Sequence, residues 1–159
     1  MNTNLSFCLA LHRAHASLQL KLDDELGIHH GISFNDFALL NLLAQADGGR
    51  VSIPELVRPL GQPQSSVLRQ LIVLEKIGLV VREGANGFRQ AVLRPVGRAL
   101  VNAARETADS ICTEAVESIA PAAVEMVSAA LGSYCELVCP VRFSPLASAS
   151  IPNSLKVEP

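Results

Sequence analysis

Five side chains in one short stretch could do chemistry together: Gln62, Gln64, Ser65, Ser66 and Arg69. A glutamine amide binds adenine through two hydrogen bonds, a serine hydroxyl meets a base edge or a phosphate, and a guanidinium takes guanine or a phosphate oxygen. Asn86 and Arg89 follow in a second stretch, where a guanidinium at a loop tip suits a narrow minor groove. Any one of these residues is explained equally well as solvated surface. The argument rests on the assembly that would hold them.

That assembly is legible. Ser52 caps a short third helix, with Pro54 in its first turn and Glu55 at capping-box spacing, and Pro59 and Gly61 halt it. Pro63 opens a fourth helix with Gln62 as its cap. Val67, Leu71, Leu74 and Ile77 form its core-facing stripe, and Gly78 stops it. Residues 79–83 and 88–94 are β-prone, and Asn86-Gly87 between them signals a hairpin. Helix, tight turn, helix and hairpin make a winged helix-turn-helix lobe, whose second helix fits the major groove of duplex DNA. Between Arg50 and Arg98 there are eight basic residues and three acidic ones, although the whole chain has a net charge of −2. A basic middle between acidic ends is what a module facing a polyanion requires.

The flanks read as long helices. Residues 4–26 form the first, ended by the glycine-containing stretch 27–33. Ser33 caps the second, with Asp36 in its first turn, and Asp47-Gly48-Gly49 ends it before a short strand at Arg50-Val51. Pro95 starts a long helix whose stripe runs Leu100, Val101, Ala104, Ala108, Ile111, Cys112, Ala115, Val116 and Ile119. Pro121 breaks it, and 122–139 continue as helix. The fold class is therefore mainly α with a small β-hairpin wing (α+β). A lobe at about 33–95 lies between dimerisation helices at about 4–26 and 96–139, all in one domain over 1–139. The Pro/Ser-rich tail 140–159 has a poorly ordered composition. The outer helices carry more apolar surface than the lobe can cover, which predicts a homodimer with two recognition helices about 34 Å apart.

With 159 residues and 49% hydrophobic content, the chain can bury a core of Ala, Leu, Val and Ile; it has no Trp. No apolar run reaches the roughly 18 residues of a membrane span, and the N-terminus does not read as an export signal. The expectations are a cytoplasmic protein with no membrane partner and no disulfide framework. Phosphate-loop, Gly-x-Ser-x-Gly and His-Glu-x-x-His motifs are absent, so an enzyme is not expected and no cofactor is implied.

Residues 31–104 resemble the multiple antibiotic resistance regulator (MarR) family of winged-helix transcription factors. The likeness is carried by Gly31-Ile32-Ser33, by 52–56 (Ser-Ile-Pro-Glu-Leu) and by 65–69 (Ser-Ser-Val-Leu-Arg). It continues through 74–80 (Leu-Glu-Lys-Ile-Gly-Leu-Val) and 94–100 (Arg-Pro-Val-Gly-Arg-Ala-Leu). The resemblance implies a homodimer with interlocked terminal helices, reading a pseudo-palindromic operator, most often as a repressor. Two departures are visible. The family's Asp-Arg-Arg-like wing motif is here 86–89 (Asn-Gly-Phe-Arg), and its customary Leu-Thr before the last long helix is Arg94-Pro95.

The resemblance also implies release by a small, often aromatic or phenolic effector held where the dimerisation helices meet the lobe. His12, His15, His29, His30, Phe34 and Phe37 are the candidate lining residues. No carboxylate or thiol stands at convincing ligand spacing near the histidines, so no metal site is assigned. Cys8 lies one residue off the position where peroxide-sensing relatives keep a reactive cysteine, while Cys112, Cys135 and Cys139 are expected to pack. The alternatives are a winged-helix protein–protein adaptor without DNA binding and a redox-sensing regulator acting through Cys8.

Overall fold

The first helix, α1 (Thr3–His30), runs past the expected end at residue 26. Gly27 sits within it, with open space where a Cβ would stand, and the stop is Gly31 at φ 67°. A glycine in a helix costs about 1 kcal/mol; burial of Leu22 and Leu26 just before it offsets that cost. In this computed structural model, which describes residues 3–84 and 89–138, a capping box starts α2 (Phe34–Gln45). Ser33 Oγ accepts the Asp36 N–H at 3.1 Å, and Asp36 Oδ2 accepts the Ser33 N–H at 3.1 Å. The Phe34 N–H donates to Asp23 Oδ1 at 2.6 Å, which ties α2 to α1.

A 3₁₀ turn at Asp47–Gly49 leads into β1 (Arg50–Ser52) and then α3 (Ile53–Leu60). Here Glu55 Oε2 takes both donors of Ser52, its N–H at 3.2 Å and its hydroxyl at 2.6 Å. Pro59 does not halt α3, as the sequence suggested; it lies inside the last turn, and Gly61, at φ 60°, is the stop. The next helix, α4 (Gln64–Lys76), starts one residue late, with Pro63 rather than Gln62 at its cap and no side-chain bond there. Its expected core stripe loses a member, because α4 ends at Lys76 and leaves Ile77 57% exposed.

Strands β2 (Val80–Glu83) and β3 (Gln90–Leu93) form the hairpin, and β3 also pairs with β1, giving an antiparallel sheet in the order β1-β3-β2. Val92 lies opposite Val81 on one side and Arg50 on the other. Next, α5 (Pro95–Val116) begins at its N-terminal proline. A Cβ on Gly97 would collide with the Leu79 carbonyl oxygen and stand 2.8 Å from Leu93 Cδ1, so glycine is what lets α5 dock on the wing base. Finally α6 (Pro121–Val138) leaves α5 through a bend of 114°.

Leucines 26, 39, 40, 43 and 71 are fully buried with Val67, Val101 and Ala104 where α1, α2, α4 and α5 meet. Among the described residues no polar or charged side chain is buried. The α5 stripe is shorter than expected: it is buried through Ile111, whereas Cys112, Ala115, Val116 and Ile119 are exposed, as is Cys135 on α6. The buried part of the stripe ends at Ile111. Leu5, Phe7 and Leu9 on α1, and Met126 and Val127 on α6, are likewise exposed. Cys139 and the tail 140–159 lie outside the described residues. Among the described residues no single helix is long and apolar enough to cross a membrane.

Candidate nucleic-acid interface

The turn between α3 and α4 sets how α4 is presented. Gly61 donates its N–H to the Arg58 carbonyl at 3.0 Å and Gln62 donates to Val57 at 3.3 Å, closing the C-terminus of α3. Pro63, at φ −65°, then starts α4, its carbonyl accepting the N–H groups of Ser66 and Val67. Val67, Leu71 and Leu74 anchor one face in the core. The opposite face must look outward, and it carries Ser65 and Arg69, both exposed; Gln64 is exposed as well, in the first turn of the helix. Gln62 and Ser66 are half-buried beside them. Arg69 Nη2 lies 3.3 Å from Ser66 Oγ, so the guanidinium rests along the helix, and among the described residues no carboxylate pairs with it.

Two polar ties fix α4 in place. Gln70 Nε2 donates to Asp36 Oδ1 at 2.9 Å, so the residue that caps α2 also orients α4. At the other end Glu75 reaches β2: Oε1 accepts the Arg82 N–H at 2.9 Å and Oε2 accepts Arg82 Nε at 2.8 Å. The Arg82 backbone donor first, and then its side chain, hold the Glu75 carboxyl below the usual range. Arg82 therefore braces the wing, and the sequence reading had not singled it out. Arg50 does the same between β1 and β2, with Nη1 2.9 Å from Glu83 Oε2. The local excess of positive charge is thus partly engaged inside the lobe, while Arg69, Lys76 and Arg89 stand exposed.

Arg89 enters β3 with its carbonyl accepting the Ile53 N–H at 3.1 Å, so the wing strand is tied to the start of α3. Asn86 lies outside the described residues.

The six candidate pocket residues are not brought together within one chain. Phe34 and Phe37 stack at 6.2 Å on α2, with Phe37 buried. His12 and His15 are exposed on the N-terminal half of α1. His29 and His30 alone line a groove of about 580 Å³ between α1 and α5, with Lys21, Glu25, Glu106, Thr107, Ser110, Ile111 and Glu114. Across it His30 Nε2 meets Thr107 Oγ1 at 2.8 Å and Lys21 Nζ meets Glu114 at 2.8 Å. The α5 side of this groove was not foreseen, because α1 and α5 are remote in sequence. Among the described residues no group of three His, Cys, Asp or Glu side chains is arranged to hold a metal ion.

Cys8 is exposed on α1. Desolvation, with the Asp109 carboxylate second, pushes the Cys112 thiol up and away from the thiolate form.

A family model described as the IclR helix-turn-helix domain matches residues 37–84, from α2 through β2. No curated protein sequence matches. Among solved structures the chain is similar to AbsC, a MarR family transcriptional regulator from Streptomyces coelicolor, at 20% identity and a TM-score of 0.75, covering 89% of this chain and 97% of that one. It is similar to Sco3205, a MarR family transcriptional regulator from the same organism in complex with DNA, at 20% identity and 0.77, covering 87% and 92%. CouR from Rhodococcus jostii RHA1, bound to p-coumaroyl-CoA, is 22% identical at 0.73, covering 81% and 91%. The fold is the winged-helix fold of MarR family transcriptional regulators.

Proposed function

We propose that this chain, which has the fold of MarR family transcriptional regulators, is itself a DNA-binding transcriptional regulator. The observation that carries the reading is the leading edge of α4. Ser65 and Arg69 face solvent there, opposite the buried Val67, Leu71 and Leu74, and Gln64 is exposed in the first turn. A helix so mounted enters a major groove edge-first, with Gln62 and Ser66 at its margin. Arg89, with Asn86, serves the wing's approach to the minor groove. That the similar Sco3205 structure is a complex with DNA supports the reading.

The finer reading is a homodimer that represses from a pseudo-palindromic operator in the cytoplasm, the regulator domain occupying residues 1–139. The exposed Leu5, Phe7 and Leu9 of α1 and the apolar α6 support dimerisation, since patches of this kind mark interfaces. The groove between α1 and α5 suits a releasing small molecule, with His29 and His30 on its wall.

Selection of bound duplexes from a random pool tests the proposal. A regulator yields one enriched, two-fold-symmetric sequence whose affinity falls steeply as salt rises, because bound phosphates release counterions. A protein–protein adaptor yields no enriched duplex and no salt-dependent affinity.

A further inference from the structure

Past its polar leading edge, α4 presents aliphatic side chains to solvent. Val73 is 56% exposed and Ile72 is 37% exposed. A lone exposed aliphatic needs no explanation. Here an adjacent pair lies between two cations, Arg69 and Lys76, on the outward side of the helix. Ser66, Arg69 and Val73 follow one another at i, i+3 and i+7 and so share one helical face. No acidic side chain interrupts it, since the carboxylate of Glu75, the one acid on α4, is turned to Arg82. A face that is positive at both ends and apolar between suits a ligand that is anionic at its edges and carries methyl groups inside.

Resting on the DNA-binding reading above, we infer that Val73, with Ile72 at its flank, reads the 5-methyl group of thymine in the major groove. Thymine is the base that presents a methyl there, and aliphatic side chains are its natural complement. Val73 lies one turn beyond Arg69, about 6 Å along the axis. Base pairs rise about 3.4 Å each, so the methyl belongs to a base pair one or two steps from the one that Arg69 meets. Lys76, a further turn out, is left for the phosphate backbone.

The test replaces each thymine of the selected duplex, one at a time, with deoxyuridine, which deletes only the methyl. Affinity of the full-length protein is read by fluorescence anisotropy. Removing the contacted methyl should weaken wild-type binding about fourfold, the worth of one buried methylene-sized group, and Val73→Ala should abolish the difference. The exposure of Val73 predicts an unchanged melting temperature for that variant. The inference is overturned if every deoxyuridine is neutral, if Val73→Ala discriminates as well as wild type, or if the selected sites hold no thymine at that step. It is equally overturned if Val73→Ala changes the oligomeric state of the free protein, which would assign the patch to a protein contact. In all these outcomes a specific duplex is still bound and the regulator reading survives; failure to select any duplex removes both.

Discussion

Glu75 on α4 and Arg82 on β2 are joined three times over: through the Arg82 backbone N–H at 2.9 Å, through Nε at 2.8 Å and through Nη2 at 2.6 Å. This clasp links the helix that would enter the major groove to the strand that carries the wing. The two surfaces are therefore oriented as one unit.

The clasp makes stability depend on pH in a definite direction. Its bonds lower the Glu75 pKa in the folded chain, so the folded state binds that proton less readily than the unfolded state. The stabilisation is complete above the ordinary glutamate value of about 4.3 and is lost as pH falls through the lower folded value. Glu75→Gln should cost about 1 kcal/mol at pH 7, in the range of a partly exposed charged hydrogen bond. Once the pH has fallen through that lowered folded value, its unfolding midpoint should converge on that of wild type. Urea denaturation of both proteins across pH checks this, and a constant gap between them would remove Glu75 as the titrating group.

Arg69→Ala should weaken binding to the selected operator by about 1–3 kcal/mol if the guanidinium makes a bidentate base contact. Titration against operator and random duplexes separates the roles. An equal loss on both would assign Arg69 to a phosphate.

Arg89→Ala should weaken duplex binding and leave the oligomeric state unchanged, because its side chain is exposed while its backbone holds β3 to α3. Sedimentation alongside the binding titration is the check. Dissociation of a dimer would mean that Arg89 faces a subunit interface.

Phe7→Glu should convert the proposed dimer to monomers and remove specific binding with it, since Phe7 is 55% exposed and belongs to the apolar patch of α1. Sedimentation at micromolar protein reads the outcome. An unchanged sedimentation coefficient would exclude that patch from the interface.

Gly97→Ala should destabilise the lobe by about 1–3 kcal/mol, the usual cost of overpacking, because the added carbon meets the backbone of Leu79. Thermal unfolding measures it. An unshifted melting temperature would show that α5 can back away from the wing at no cost.

The features legible in the sequence are those whose causes lie within a few residues. Ser33 with Asp36 and Ser52 with Glu55 form their boxes as spaced, Pro95 opens α5, and the two hairpin strands pair. Errors arose where tertiary contact outweighed local preference. Gly27 stays helical because Leu22 and Leu26 before it are docked, Pro59 is absorbed into the end of α3, and Ile77 falls outside the core because α4 stops one residue before it. At the site, the α4 face was legible from the spacing of Val67, Leu71 and Leu74. The Glu75–Arg82 clasp and the partnership of His30 with Thr107 were not, since nothing local marks which distant side chain a carboxylate or an imidazole will find.

The apolar interior, in which the buried side chains of the described residues are all hydrophobic, has a further consequence. Where the packed side chains are hydrophobic, one leucine can replace an isoleucine elsewhere provided the volume is kept. Sequences can thus drift far apart while the silhouette persists, as a TM-score of 0.77 at 20% identity illustrates. What distinguishes one such protein from another is then written on its rim, and a change of specificity there need not disturb the filling beneath.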